Sequence, residues 1–92
     1  SSNNSSEITK KKRKNTTYTL IISDFYYLES ANNLMNDLKI KTNINNFKVI
    51  KLKDNQYRLS AGPFKNFNTL KSSYISLNIL GFENLNITKS RI

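Results

Sequence analysis

The chain has 92 residues, a formal net charge of +9, two glycines, and neither cysteine nor histidine. A chain of this length forms one domain with a small core, and the lack of histidine removes the commonest general base and metal ligand. No stretch approaches the roughly 20 apolar residues of a membrane-spanning helix, and no signal-peptide segment is visible, so we expect any targeting signal to lie outside this sequence.

The first segment, residues 1–17, is polar and basic. It contains one large apolar residue, Ile8, and a block of five positive charges, Lys10–Lys14. So little apolar surface cannot offset the entropy lost on ordering, which predicts a disordered basic linker. We interpret the basic block as a solvated tether, with a nucleic-acid tail or a patch for anionic lipid as the alternatives.

The first half of the domain is predicted to be strand, helix, strand. The first strand covers Tyr18–Ser23, and the second covers Phe47–Leu52. Between them, apolar residues follow the i, i+3, i+4, i+7 spacing of a helix of about three turns. These residues are Ala31, Leu34, Met35 and Leu38.

The second half repeats that order after a hairpin turn at Lys53–Gln56. A third strand, Gln56–Gly62, ends where Pro63 removes a ladder donor. A second helix follows, with Asn66 as its N-cap, Gly81 as its C-terminal stop and one apolar stripe. The stripe consists of Phe67, Leu70, Tyr74, Leu77 and Leu80. A fourth strand is predicted over Asn84–Thr88, and Lys89–Ile92 is predicted to be a short tail.

One pattern occurs twice in the domain, residues 18–88. Tyr18–Phe25 and Tyr57–Phe64 both read Tyr-x-Leu-x-x-x-x-Phe, and each leads into a helix. Two βαβ halves with right-handed crossovers predict an α+β, ferredoxin-like βαββαβ fold. The expected sheet is antiparallel with strand order 4-1-3-2. Both helices then lie on one face, and the other face stays open.

Alternation along the strands predicts which side chains occupy each face. The inward set is Tyr18, Leu20, Ile22, Leu34, Leu38, Ile50, Leu52, Tyr57, Leu59, Ala61, Leu70, Leu77, Leu85 and Ile87. The open face is predicted to carry Thr19, Ile21, Ser23, Phe47, Val49, Lys51, Arg58, Ser60, Asn84, Asn86 and Thr88. A slip of one residue across the hairpin turn would exchange the two faces of the second strand.

The residue types argue against catalysis. The six acidic residues form no predictable pair, and without histidine or cysteine a serine nucleophile has no obvious base beyond lysine. With two glycines there is no phosphate-binding loop. We therefore expect neither an enzyme nor a cofactor or metal. RNA binding is the alternative, but the predicted open face of the central strands lacks the aromatic side chains on which bases stack.

The chain resembles the SPOR domain, the sporulation-related repeat. Tyr57-Arg-Leu-Ser-Ala-Gly-Pro-Phe64, a helix and Leu80-Gly81-Phe82 are similar to the family's Tyr-Arg-Val-x-Val-Gly-Pro-Phe, helix and Leu-Gly-(aromatic). Leu20–Phe25 is similar to its Val-Gln-Val-Gly-Ser-Phe, and the helix stripe to its Ala-x-x-Leu-x-x-x-Leu. The resemblance covers about residues 18–88.

This resemblance implies a non-catalytic module that binds peptidoglycan, favours glycan strands stripped of stem peptides, and localises to the division septum in the bacterial periplasm or cell envelope. We expect a monomer that contacts neither nucleic acid nor membrane, within a membrane-anchored or lipoprotein parent that could carry an upstream enzyme. The expected glycan-binding residues are Ile21, Asp24, Phe47, Lys51, Gln56, Arg58, Ser60 and Asn86.

Three positions depart from the family pattern. Ile21 stands where the family has glutamine, so a hydrogen-bonding side chain is replaced by a hydrophobe. Ser23 and Asp24 stand where it has glycine and serine. A carboxylate at position 24 would repel an anionic strand unless Arg58 or a lysine pairs with it.

Overall fold

The computed structural model describes residues 16–91, which form the six predicted elements in the predicted order. The elements are β1 (Thr16–Phe25), α1 (Leu28–Lys41), β2 (Phe47–Lys53), β3 (Gln56–Phe64), α2 (Phe67–Ile79) and β4 (Asn86–Arg91). Every strand pair is antiparallel, and the order β2-β3-β1-β4 is the predicted order read from the other edge. The α+β, ferredoxin-like prediction is confirmed.

The core lies between the sheet and the two helices. Its largest fully buried side chains come from β1, β3 and both helices, namely Leu20, Leu38, Leu59, Leu70 and Leu77. Each such side chain contributes about 1.5–3 kcal/mol through removal of apolar surface from water. Because α1 and α2 both pack on this side, the other face of the sheet is left uncovered within residues 16–91.

Local capping explains where α2 begins and ends. The side-chain oxygen of Asn66 accepts a hydrogen bond from the backbone N–H of Thr69 at 2.8 Å, so the predicted N-cap is confirmed. At the other end, the N–H of Phe82 donates to the carbonyl of Leu77, and Gly81 adopts a φ of 106°. Glycine accepts this left-handed backbone most easily, which explains the predicted stop.

The two copies of the repeated pattern pair with each other. Tyr18 of β1 lies opposite Phe64 of β3, and Phe25 lies opposite Tyr57. The aromatic residue that begins each copy therefore lies opposite the aromatic residue that ends the other copy. Both strands contain one irregularity between these ends, and the two offset each other, so the register is restored.

The irregularity in β3 lies at Gly62 and Pro63, which together face the single residue Thr19 of β1. Gly62 has a φ of 130°, and a Cβ there would lie 2.9 Å from the carbonyl oxygen of Tyr18. Asn46 holds the bulge from the other side: its carbonyl accepts from the N–H of Gly62 at 2.8 Å. The position thus requires glycine for both conformation and space.

The irregularity in β1 is a single extra residue, Ile22. Ile21 lies opposite Ser60 and Ser23 lies opposite Leu59, so β3 has no partner for the residue between them. Beyond this bulge the alternation changes parity. Phe25 accordingly packs against the core, and Asp24 emerges on the uncovered face of the sheet.

The predicted faces of β2 are wrong. Phe47 lies opposite Ala61 and Val49 opposite Leu59, and both pack against the core. Ile50 and Leu52, which were predicted inward, are 45% and 43% exposed.

A bulge explains this exchange of faces. Lys51 lies opposite Tyr57 and Lys53 opposite Gln56, so Leu52 is an extra residue next to the turn. Asn55 takes a φ of 62° in this turn, a conformation that asparagine tolerates well. The turn and bulge therefore fix the slip of one residue, which places Lys51 on the helix side with Val49.

The predicted ends of β1 and β4 also differ from the structure. Thr16 and Thr17, assigned to the linker, begin β1, and they pair with Arg91 and Ser90 of β4. β4 runs from Asn86 to Arg91, so most of the predicted tail is strand. Ile87, predicted inward, is 49% exposed because β4 is an edge strand. The basic block Lys10–Lys14 lies outside the described residues.

Candidate functional site

The candidate site is the uncovered side of the sheet, which we call the open face. Its members follow from the strand register, since directly opposed residues of paired strands point to the same side. The open face carries Asn86 and Thr88 of β4, Thr19, Ile21 and Asp24 of β1, Gln56, Arg58 and Ser60 of β3, and Lys48 and Ile50 of β2.

A polar network lies across the two central strands. Asp24 is directly opposite Arg58, and the guanidinium donates from Nε to Oδ1 at 2.8 Å and from Nη2 to Oδ2 at 3.0 Å. The side-chain amide of Gln56 donates to the same Oδ2 at 3.1 Å. Such a bidentate arginine–carboxylate pair fixes the orientation of both side chains. The bulge in β1 creates this network because it brings Asp24 onto the open face.

The pair changes the electrostatics of the open face. Hydrogen bonds from Arg58 lower the pKa of Asp24 below its ordinary value of 3.8, with Gln56 contributing in the same direction. Asp24 in turn raises the pKa of Arg58. Both side chains are about one third exposed, at 33% and 32%, so water and salt screen the pair. At neutral pH both groups are charged, and their charges offset each other.

Apolar and hydroxyl groups flank this network. Ile50 lies opposite Arg58 on the β2 side and is 45% exposed. Ser60 lies between Ile21 of β1 and Lys48 of β2 and is only 2% exposed. The open face therefore combines a charged centre with two isoleucine side chains and a lysine, an arrangement that offers both apolar contact and hydrogen bonds.

A cleft of about 480 Å³ opens at the end of the sheet where this network lies. It is lined by the end of β1 and by the β2–β3 turn, namely Asp24, Phe25, Tyr26, Lys53, Asp54, Asn55 and Gln56. Tyr26 is 73% exposed, and its ring lies 6.3 Å from that of Tyr27. The cleft thus places an exposed aromatic ring beside the amide and carboxylate of the network.

Six of the eight predicted site residues share the open face: Ile21, Asp24, Gln56, Arg58, Ser60 and Asn86. The other two, Phe47 and Lys51, lie on the helix side because the bulge at Leu52 shifts β2. Lys51 instead pairs with Asp54 at 3.5 Å.

Sequence reasoning missed Lys48 and Ile50, and Tyr26 of the cleft was not among the expected glycan-binding residues. Lys48 and Ile50 occupy the open-face positions that had been given to Phe47, Val49 and Lys51. The Asp54-Asn55 pair in the turn was the available signal, because a left-handed asparagine at a hairpin turn often accompanies a bulge.

The structure also bears on other ligand classes. Within the described chain, the open-face positions of β1 and β3 hold no aromatic side chain on which a base could stack. Residues 16–91 contain no cluster of three carboxylates suited to a metal ion. Neither of the two helices described has the length and apolar character needed to span a bilayer.

Comparison with known proteins identifies the family. Neither a curated protein nor a solved structure matches the chain significantly. The family model described as the SPOR domain matches residues 14–81, which is well over half of the chain and includes every element except β4. The chain therefore belongs to the SPOR domain family, whose members are binding domains for peptidoglycan at the division septum of the bacterial cell envelope.

Proposed function

We propose that this domain binds glycan strands on its open face, prefers strands stripped of their stem peptides, and so directs its parent protein to the septum from the periplasmic side. It acts as a monomer that does not itself contact the membrane. The observation that carries the proposal is the Asp24–Arg58–Gln56 network on the sheet face that neither described helix covers.

The chemistry of a stripped strand suits this face. Such a strand carries acetamido groups and, where the peptides have been removed, free lactyl carboxylates. Two of the five N–H groups of Arg58 donate to Asp24, and among the described contacts the other three remain for a ligand. Lys48 lies on the same face, and Lys53 lines the cleft beside it. These cations favour the carboxylates that distinguish a stripped strand from an intact one.

Asp24 is compatible with an anionic ligand because it is already paired. Its charge is offset by Arg58, and it accepts from Gln56, so its oxygens are occupied by donors of the protein. The carboxylate then holds Arg58 in place, which reduces the entropy lost when the guanidinium binds. Ile21 and Ile50 supply apolar contact for sugar rings, in place of the family's glutamine at position 21.

The test is co-sedimentation of the chain with amidase-treated peptidoglycan and with intact sacculi. We expect more protein to pellet with the treated material. Arg58→Ala should weaken this binding by about 1.5–3 kcal/mol, the range for hydrogen bonds to charged groups. Lys48→Ala should weaken it less, and mainly at low salt, because a single exposed lysine contributes a screened charge.

Asn36→Ala is the control, since this exposed residue lies on α1 on the far side of the sheet. It should pellet like the unmodified chain. Equal pelleting with both substrates would contradict the preference for stripped strands. Normal binding by Arg58→Ala together with loss in a helix variant would show that the open face is not the site. Tight, salt-resistant binding to single-stranded RNA by residues 16–92 would contradict the glycan proposal itself.

A further inference from the structure

An apolar groove lies on the helix side of the molecule, between α2 and the edge strand β4. Its volume is about 280 Å³, and its lining is Phe67, Leu70, Lys71, Tyr74 and Ile87. Leu70 forms the buried floor, whereas Phe67 and Ile87 are 59% and 49% exposed at the rim. Large apolar side chains gathered at a concave surface are typical of a binding site for another molecule.

β4 borders this groove with an unpaired strand edge. It is the last strand in the sheet order and pairs only with β1 among the described elements. All six of its residues are exposed. Its outer N–H and C=O groups therefore face no strand in the described part of the chain, and such an edge can accept an extended peptide as an additional strand.

Positive charges continue along the same side of β4. Lys89 lies opposite Tyr18, whose ring makes an edge-to-face contact with Phe67 at 6.2 Å, so Lys89 points to the helix side. Arg91, two residues further on, points to that side as well. Together with Lys71 in the groove wall, three cations lie beside the apolar groove, and its lining contains no carboxylate.

We propose that β4 and this groove dock an extended acidic peptide segment of another protein. The segment adds to β4 as a fifth strand. One apolar side chain enters the groove opposite Ile87, and carboxylates at the next alternate positions meet Lys89 and Arg91. The charge of the surface selects an acidic partner. The unpaired backbone of β4 favours a peptide over an anionic bilayer, because lipids offer no main chain for a strand edge to pair with.

The experiment measures the binding of short fluorescent peptides with blocked ends to the full 92-residue chain. The acidic probe reads Glu-Thr-Glu-Thr-Leu-Thr, which, antiparallel to β4, places its glutamates opposite Arg91 and Lys89 and its leucine opposite Ile87. A basic probe has lysine for glutamate, and a third probe is the acidic sequence N-methylated at alternate residues. We expect only the unmethylated acidic probe to bind, with amide shifts confined to β4 and α2.

Lys71→Glu and Lys89→Glu should each weaken binding of the acidic probe about tenfold or more, because like charges then face each other. Both positions are exposed, so the fold should persist. Lys39→Glu, an exposed change of the same kind on α1, should leave peptide affinity unchanged. Lys71→Glu should still pellet with peptidoglycan, which separates this inference from the glycan proposal.

Several results would overturn the inference. Failure of the acidic probe to bind, or equal binding of the basic or N-methylated probe, would exclude strand addition driven by charge. Amide shifts on β2 or the open face would place the site elsewhere. Sedimentation of the chain with phosphatidylglycerol vesicles that is lost in Lys71→Glu, without binding to the acidic probe, would identify the groove as a lipid surface instead.

Discussion

The two copies of the repeated pattern, in β1 and β3, share a sequence signature but use their bulges differently. In β3 the bulge serves the core: Gly62 is buried and packs against the backbone of β1, Pro63 is exposed, and Phe64 enters the core. In β1 the bulge at Ile22 turns Asp24 outward to meet Arg58. The same kind of irregularity therefore stabilises the fold in one copy and builds the candidate site in the other.

This difference shows where a repeated domain can change without loss of its fold. The positions that the copies share, Leu20 and Leu59 above all, are fully buried and hold the two strands to the helices. The positions at which they differ include Asp24, which follows the bulge of β1 and lies on the open face. A change there alters the open face while the shared core stays intact.

A substitution that disrupts the bulge of β3 should have the largest effect on stability. Gly62→Ala is expected to reduce the free energy of unfolding by about 3 kcal/mol, since it combines a strained φ with a clash against the carbonyl of Tyr18. Gly81→Ala is the matched control: its φ is also positive, but no atom lies within 4 Å of the added Cβ. It should cost about 1 kcal/mol. Urea unfolding measures both, and equal losses would show that the close approach of the strands is unimportant.

A second prediction concerns β2, whose bulge determines which of its side chains join the open face. Val49→Thr should destabilise the domain by about 1–2 kcal/mol, because it places a hydroxyl against the core. Ile50→Thr should cost about 0.5 kcal/mol or less, because Ile50 is 45% exposed on the open face. Both changes keep a β-branched side chain, so strand propensity is matched. If urea unfolding showed that Ile50→Thr destabilises the domain more than Val49→Thr, the register of β2 would be the one predicted from the sequence.

The smallest expected effect on stability concerns Asp24, the residue that the β1 bulge turns onto the open face. Asp24→Asn should cost less than about 1 kcal/mol at neutral pH, since the pair with Arg58 is partly exposed. The pKa of Asp24 is lower in the folded protein than its ordinary 3.8, so folding favours the ionised form. The stabilisation is thus fully present above pH 3.8 and is lost as the pH falls through the folded-state pKa.

Urea unfolding of the two proteins at several pH values tests this sign. The difference between the unmodified chain and Asp24→Asn should shrink as the pH drops below 3.8. A difference that is constant across this range would mean that the charge of Asp24 contributes nothing. A difference that grows at low pH would contradict the depressed pKa.

The order of the elements could be predicted from the sequence because it depends on long patterns. Three features made the elements predictable: the helix stripe that includes Ala31 and Leu38, the cap at Asn66 and the stop at Gly81. Each of them combines several residues with one physical cause. The pairing of the two repeats follows from the topology. These features tolerate an error of two or three residues at a boundary, as the observed ends of β1 and β4 demonstrate.

The faces of the strands could be predicted only where the alternation is unbroken. It holds for Arg58 and Ser60 but fails beyond the bulge at Ile22 in β1 and for the part of β2 that precedes the bulge at Leu52. A bulge depends on backbone hydrogen bonding between strands, which side-chain periodicity does not report. Gly62-Pro63 was predicted to end β3, whereas the strand continues through a bulge there to Phe64. No sequence signal marks the bulge at Ile22. The pairing of Asp24 with Arg58 was therefore predicted only as one way in which the negative charge of Asp24 could be compensated.

Both outer strands of the sheet carry cations, with Lys48, Lys51 and Lys53 on β2 and Lys89 and Arg91 on β4. When many copies gather along neighbouring glycan strands, their sheets come close to one another. Joining β2 of one copy to β4 of the next would bring these like charges together, which opposes fibre formation. The charges on the two edge strands therefore disfavour edge-to-edge joining of neighbouring domains on peptidoglycan.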